Sequence, residues 1–194
     1  MCSSDLEIQK IKEVCLQQNL KLHLDGARLF NALVAKKESP LQYGEVFDSI
    51  SICLSKGLGT PIGSVLLGNA DFIKKAKRIR KVFGGGMRQA GYMAAAGIYA
   101  LHNNVHRLKA DHQNAKRISA ALLEKDFIGK MMPVETNIII FEVLGENAPV
   151  HFCEKMKQYN ILCLPISATQ VRMVTHLDIT DEMVDKLISL IHAL

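Results

Sequence analysis

The chain has 194 residues, of which 48% are hydrophobic, and its formal net charge is +5. This length allows one substantial core, or one core and a small second domain. Its five cysteines are odd in number and lack disulfide-framework or zinc-ligand spacing, which is typical of a reduced, cytoplasmic protein. The sequence shows neither a signal-peptide pattern nor an apolar stretch of about 20 residues, so no membrane partner is expected.

The first half of the chain alternates between helical and strand-like hydrophobic spacing. Residues 6–18 are predicted to form a helix, and residues 20–24 a short strand. Two more strands are predicted at 49–54 and 63–67, followed by a basic amphipathic helix at 71–81. A helix that joins two strands is typical of a parallel sheet, so the pattern indicates an α/β fold.

The second half is predicted to begin with helix-rich sequence and to end in a smaller α+β arrangement. Residues 88–125 have helical character, in one helix or two, and include the Ala- and Gly-rich stretch 90–101, which indicates a packed helix. The later predicted elements are a strand at 137–143, a helix at 149–158, strands at 161–164 and 171–175, and a helix at 181–193 capped by Thr180.

Two charged residues stand where buried apolar strands run into glycine. Asp25 follows the strand at 20–24, and Lys56 follows the strand at 49–54, in which Cys53 is expected to be buried. Pyridoxal phosphate requires a carboxylate that keeps its pyridine nitrogen protonated and a lysine that binds its aldehyde carbon. Either residue alone is more commonly part of a turn or a solvated loop end. Together they predict a pyridoxal phosphate site.

Three separated segments carry a family resemblance. LHLDGARLFNA at 22–32, SKGLGTPIGS at 55–64 and VRMVTHLDIT at 171–180 resemble the low-specificity L-threonine aldolases. These enzymes belong to the aspartate-aminotransferase-like superfamily, fold type I. The resemblance implies part of a fold type I pyridoxal-phosphate-dependent transferase-like large domain at 1–110 and a small C-terminal α+β domain at 111–194.

The resemblance also implies that the chain is the C-terminal portion of a longer enzyme. A doubly wound domain would supply several strands and a phosphate-binding glycine loop before Asp25, whereas only one helix is predicted there. Within the opening residues 1–6, Cys-Ser-Ser-Asp-Leu is what one frame of a common sequencing-adapter end would encode. We therefore expect this opening not to be native.

The resemblance assigns roles to four residues. Asp25 would pair with the pyridinium nitrogen, Arg28 would contact the cofactor near its phenolic oxygen or phosphate, and Lys56 would bind it covalently. Arg172 would hold the substrate carboxylate. An arginine fork can bind a carboxylate through two parallel hydrogen bonds, and a lone charge inside an apolar strand would be costly. From the pattern alone, an arginine on an edge strand that reaches solvent remains an equal alternative.

Three other patterns are weaker candidates for functional sites. Lys81 and Arg88 flank a glycine loop that opens a helix, a geometry suited to anions, so they are second candidates for phosphate or substrate contact. The basic run 74–81 lacks interleaved aromatic residues, which favours a solvated helix face over a nucleic-acid site. His102 and His106 stand four apart on a presumed helix, but without a third ligand in the pattern no metal is expected.

The reaction implied by the resemblance is the cleavage of a β-hydroxy-α-amino acid, threonine or allo-threonine, to glycine and acetaldehyde. The chain offers no identifiable catalytic base. Two alternatives stay open: another fold type I amino-acid lyase or aminotransferase, and an inactive truncated fragment. Family members are homo-oligomers with active sites at subunit interfaces, so a dimer or tetramer is expected.

Overall fold

The computed structural model describes residues 5–194, so the first four residues of the opening segment discussed above lie outside the described residues. Contacts divide the chain into a first unit, Met1–His106, and a second unit, Arg107–Leu194. The assignment of residues 1–110 and 111–194 to large and small domains stays a prediction. No helix among residues 5–194 is both long and apolar enough to cross a membrane.

The first unit is a three-stranded sheet with five described helices. Strand β2 lies in the middle, parallel to β1 and antiparallel to β3. The predicted helix at 6–18 and the predicted elements from 49 to 81 are confirmed within one or two residues. The elements are α1 (Asp5–Gln17), β1 (His23–Gly26), α2 (Leu29–Lys36), α3 (Pro40–Val46), β2 (Ser49–Cys53), β3 (Ser64–Gly68), α4 (Ala70–Val82) and α5 (Gly91–Asn103).

Two short helices, α2 and α3, were not predicted from the sequence. Helix α3 carries a recognisable start signal, because Ser39 accepts a hydrogen bond from the Leu41 N–H while the Gln42 side chain accepts one from the Ser39 N–H. Leu29 and Leu33 of α2 pack with Ile50 of β2 as a buried cluster. Burial against the sheet therefore stabilises α2 despite its length.

Asp48 joins three segments of the first unit. Its carboxylate accepts hydrogen bonds from the Leu22 N–H at 3.0 Å, from Lys12 Nζ at 2.9 Å and from Lys21 Nζ at 3.1 Å. The Leu22 N–H and the two ammonium groups hold the pKa of Asp48 well below its usual range. This network fixes α1 and the start of β1 beside β2.

The second unit is an antiparallel sheet packed against helices. The strand order is β4-β5-β7-β6. The buried core includes Phe141, Leu122, Ile139, Met156 and Ile191. The elements are α6 (Leu108–Leu123), β4 (Ile128–Met131), β5 (Ile138–Val143), α7 (Ala148–Gln158), β6 (Leu164–Pro165), β7 (Gln170–Val174) and α8 (Asp181–Ala193).

The structure corrects three expectations about elements. The strand predicted at 20–24 is observed as β1 at His23–Gly26, so residues 20–22 lie outside it. The strand predicted at 161–164 is reduced to the two residues Leu164 and Pro165, and β4 was not predicted. The stretch 90–101 is helical, but only the face of α5 that carries Gly97 and Ala100 is buried, and Tyr92 and Tyr99 are 85% and 64% exposed, so the helix is packed on one side only. The apolar composition of this stretch predicted a helix, but it did not predict which face of the helix would be buried.

Candidate active site

Asp25 lies near the end of β1, within the strand rather than just after it. In the parallel ladder it is aligned with Ser51 of β2. Its side chain is exposed, and its Oδ1 accepts a hydrogen bond from the Ala27 N–H at 3.2 Å. At the following residue, a Cβ on Gly26 would lie 2.6 Å from the Ser51 carbonyl oxygen. Glycine is therefore required where the two strands approach this closely.

Arg28 lies directly before α2 and shares a cleft with Asp25. The cleft has a volume of about 340 Å³ and is lined in part by Leu24, Asp25 and Arg28. Arg28 is half-buried. The structure thus brings the predicted carboxylate and the predicted arginine to one surface depression.

Lys56 lies on the loop between β2 and β3. Backbone hydrogen bonds within this loop hold its shape. The Leu54 N–H donates to the Gly63 carbonyl at 3.0 Å, and the Thr60 N–H donates to the Leu54 carbonyl at 3.2 Å. The Lys56 carbonyl accepts from the Gly59 N–H at 2.9 Å, where Gly59 has a φ of +72° that favours glycine. The Lys56 side chain is exposed on this ordered turn.

A buried asparagine that sequence reasoning missed holds this loop in place. Asn104, at the end of α5, donates from Nδ2 to the Leu58 carbonyl at 2.8 Å, and Leu58 is only 2% exposed. Gly97 of α5 brings the helix so close that a Cβ there would lie 3.2 Å from Leu54 Cδ1. A polar residue at a helix end is too common to have identified Asn104 in the sequence.

Strand direction relates Asp25 to Lys56. Because β1 and β2 are parallel, their carboxyl ends lie at the same edge of the sheet. Asp25 is in the last half of β1, and Lys56 follows the end of β2 by three residues. In open α/β sheets, ligands bind at this edge.

Cys53, expected to be buried, is half-buried here, and its Sγ lies 3.6 Å from Ser55 Oγ.

The second-ranked cations are exposed. Lys81 lies in the last turn of α4, and Arg88 lies in the segment between α4 and α5. The N–H groups of Gly84 and Gly85 donate to carbonyls of the last turn of α4, at 3.2 and 2.8 Å, so these glycines close that helix. Among residues 5–194, neither cation forms a hydrogen bond or ion pair with Asp25 or Lys56.

The histidine pair does not share a helix. His102 is in the last turn of α5, which ends at Asn103, so His106 lies beyond the helix. The predicted four-residue helical spacing is therefore wrong. Within the described part of the chain, no group of three or more His, Cys, Asp or Glu residues could hold a metal ion.

Arg172, in the second unit, is on an interior strand. It lies on β7, opposite Ile140 of β5 on one side and Leu164 of β6 on the other. The edge-strand alternative is therefore wrong. The Nε of Arg172 is buried and has no hydrogen-bond partner among the described residues. An unpaired buried donor is costly, and a carboxylate is the acceptor that matches the arginine fork.

Comparisons with known proteins place this sequence in a family. The chain is 50% identical over 171 residues to the low-specificity L-threonine aldolase of Escherichia coli K12, an alignment that covers 88% of this chain and 50% of the relative. It is 39% identical over 185 residues to a probable low-specificity L-threonine aldolase of Arabidopsis thaliana, covering 94% and 52%. The chain thus spans about half the length of the curated relatives it matches.

A solved structure shows the same fold. The threonine aldolase of Leishmania major superposes with a TM-score of 0.78 at 20% identity, covering 97% of this chain and 56% of that one. This likeness confirms the predicted fold class, part of a fold type I α/β architecture. The model of the beta-eliminating lyase family matches residues 2–145, which is more than half of the sequence. The chain belongs to the beta-eliminating lyase family.

Proposed function

We propose that this chain carries the cofactor lysine and the substrate-binding arginine of a low-specificity L-threonine aldolase. The observation that carries the proposal is the parallel pairing of β1 with β2, which puts Asp25 and the Lys56 loop at one edge of the sheet. Identity of 50% to the E. coli relative of that name supports the same activity. The reaction would cleave L-threonine or L-allo-threonine to glycine and acetaldehyde.

The residues present fit pyridoxal phosphate as the cofactor. An exposed carboxylate and an exposed lysine amine lie at the same sheet edge. The carboxylate suits the protonated ring nitrogen of that molecule, and the amine suits its aldehyde. When bound, the cofactor supplies an electron-withdrawing ring that stabilises negative charge at the substrate α-carbon. Asp25 would keep the ring nitrogen protonated, Lys56 would hold the cofactor covalently, and Arg28 would contact its phenolic-oxygen or phosphate side.

Arg172 would select substrates by their α-carboxylate. Its planar guanidinium presents parallel N–H donors, and its Nε is buried without an acceptor in the part of the chain that the structure describes. A substrate carboxylate would complete that hydrogen bonding and orient the amino acid. This role accounts for an arginine between two apolar strand neighbours, Ile140 and Leu164.

The remaining parts of the proposal concern the rest of the protein. Lys81 and Arg88, both exposed, would reach phosphate or substrate groups when the site is complete. A homo-oligomer, dimer or tetramer, is supported by large apolar side chains left exposed on the first unit, such as Phe83 at 84% and Tyr92 at 85%. A cytoplasmic location suits the unbridged state of the described cysteines.

The test uses the 194-residue chain and a chimera that adds the part of the E. coli relative that this chain does not match. Each is mixed with pyridoxal phosphate, reduced with borohydride and mapped by peptide mass spectrometry. The proposal expects reduced cofactor on Lys56, and glycine and acetaldehyde from threonine in the chimera. Labelling of Lys56 only in the chimera would mean that the chain alone is an inactive fragment.

A second candidate reaction is β-elimination, which the name of the family model favours. It would use the same Asp25 and Lys56 but release ammonia from the amino acid instead of an aldehyde. Aminotransfer would convert an added 2-oxo acid to an amino acid. Assaying ammonia, acetaldehyde and amino-group transfer on one loaded preparation separates the three reactions. If ammonia or amino-group transfer is detected and acetaldehyde is not, the aldolase proposal is overturned.

A further inference from the structure

Two cysteines of the second unit face each other across a short distance. Cys153 lies on α7, and Cys163 directly precedes β6. The Cys163 thiol donates a hydrogen bond to Cys153 Sγ, with 3.3 Å between the sulfurs. Both residues are half-buried. Neither belongs to the proposed active site.

We propose that Cys153 and Cys163 are a modification site that low-molecular-weight disulfides, such as glutathione disulfide, convert to a reversible intramolecular disulfide. The Cys153 thiolate attacks one sulfur of the reagent and displaces one glutathione thiolate. The Cys163 thiolate then attacks Cys153 Sγ and displaces the second. Two protein thiols are oxidised, one glutathione disulfide is reduced, and the two thiol protons pass to the two glutathione products.

Both cysteines border a cleft that is open to the surface. Cys153 and Cys163 line a surface cleft of about 160 Å³ together with Glu154 and Lys157. The Lys157 ammonium in this cleft attracts the carboxylates of glutathione, whereas the Glu154 carboxylate repels them. Leu162 is 81% exposed, so the chain beside Cys163 lies at the surface.

The local environment also sets the order and the rate of the two steps. Burial raises the pKa of both thiols. The hydrogen bond from Cys163 opposes this rise at Cys153, which makes Cys153 the attacking sulfur. Because raised pKa values keep both groups protonated at neutral pH, closure is slow and requires sustained oxidising conditions. The dithiol is then the resting form in a reducing compartment.

The disulfide would tie α7 to the strand beside Arg172. Residues 161–163 lie outside regular structure, and Leu164 pairs with Arg172 in the ladder between β6 and β7. A covalent bond at Cys163 would therefore restrict the segment that leads into that pair. Any effect on substrate binding rests on the proposed role of Arg172, but the disulfide itself does not.

The experiment compares the wild-type chain with Cys153→Ser, Cys163→Ser and the control Cys53→Ser, which removes a half-buried cysteine of the first unit. Each folded protein is equilibrated in glutathione buffers of increasing disulfide fraction and then quenched with acid. Free thiols are alkylated in denaturant, and the products are analysed by intact mass and peptide mapping. Circular dichroism first checks that each variant is folded.

The wild type and Cys53→Ser are expected to lose two hydrogens and to yield one linked peptide pair containing Cys153 and Cys163. Each single serine variant is expected to lose this product and, where its remaining cysteine reacts, to carry one glutathionyl group. The proposal is overturned if the wild type keeps an unclosed adduct, bridges other cysteines or a second molecule, or stays reduced in the most oxidising buffer. Since no activity is measured, this result is independent of the aldolase assay.

Discussion

The two units differ in how completely they bury their apolar side chains. In the second unit, Phe141, Ile139 and Ile191 are fully buried among α6, α7, α8 and the sheet. In the first unit, a described core cluster is formed by Leu29, Leu33 and Ile50, and every residue of β3 is exposed. Buried apolar area is the main source of stability, so we expect the second unit to be the more stable one.

The proposed functional residues are divided between these two units, and the two units hold them in different ways. The proposed cofactor-binding residues, Asp25 and Lys56, belong to the less buried unit, where hydrogen bonds rather than a large core hold the lysine loop. The proposed substrate arginine belongs to the well-packed unit, where sheet pairing holds its strand. Functional groups are therefore supported by polar contacts in one unit and by packing in the other.

The largest expected effect is the loss of covalent cofactor binding in Lys56→Ala. The substitution removes the amine but not the backbone hydrogen bonds that order the loop, so the fold should be unchanged. Borohydride reduction with mass spectrometry measures the attachment, and circular dichroism measures the fold. Lys75→Ala, an exposed lysine on α4, is the matched control and should label normally. A reducible adduct retained in Lys56→Ala would show that the lysine is misassigned.

Core truncation tests the difference in burial directly. Phe141 is fully buried and packs edge-on against Phe152 with 5.6 Å between ring centroids, so Phe141→Ala should cost about 3–5 kcal/mol. Leu33→Ala in the first unit should cost about 2–3 kcal/mol, at the low end for a buried leucine. Amide hydrogen exchange in urea, read separately on β5 and β2, measures each unit. If Leu33→Ala lowered the free energy of unfolding more than Phe141→Ala does, the expected order of stability of the two units would be wrong.

Arg172→Lys should weaken amino-acid binding roughly 10- to 100-fold, about 1.4–2.8 kcal/mol, with little change in cofactor affinity. A lysine retains the charge but not the paired N–H donors of the fork. Titrations of the chimera with threonine and with pyridoxal phosphate measure the two affinities. Arg117→Lys, which alters a surface pairing with Asp181 and Asp185, is the control. Equal losses of both affinities would indicate a structural role for Arg172.

The smallest expected effect concerns Asp48 of the first unit. Asp48→Asn should cost about 1 kcal/mol near neutral pH because it weakens the links to Leu22, Lys12 and Lys21. The folded-state pKa of Asp48 is lowered, so its stabilisation is complete above the unfolded value near 3.9 and declines as the pH falls further. Urea unfolding against pH should show the wild-type advantage shrinking below about pH 4. Glu45→Gln, at an exposed site, should show no such dependence; a pH-independent Asp48→Asn difference would contradict the assigned cause.

Local sequence signals accounted for much of the fold. Helix α8 begins where the Thr180 side chain accepts a hydrogen bond from the Met183 N–H, and its bounds match the prediction at both ends. Strands β2 and β3 were predicted from short apolar runs between turn residues. Helix α2 and strand β4 were missed because each is short and depends on packing in its own unit rather than on local propensity.

The sequence by itself placed a carboxylate and a lysine near the carboxyl ends of two short strands, because apolar runs and glycines are local signals. Only the tertiary structure decided that those strands are direct neighbours, that Asn104 holds the lysine loop, and that Arg172 lies on an interior strand with a buried Nε that has no partner among residues 5–194. It also decided that Cys153 and Cys163 meet. These are contacts between residues distant in sequence, and they depend on sheet pairing and burial, which local preferences do not specify.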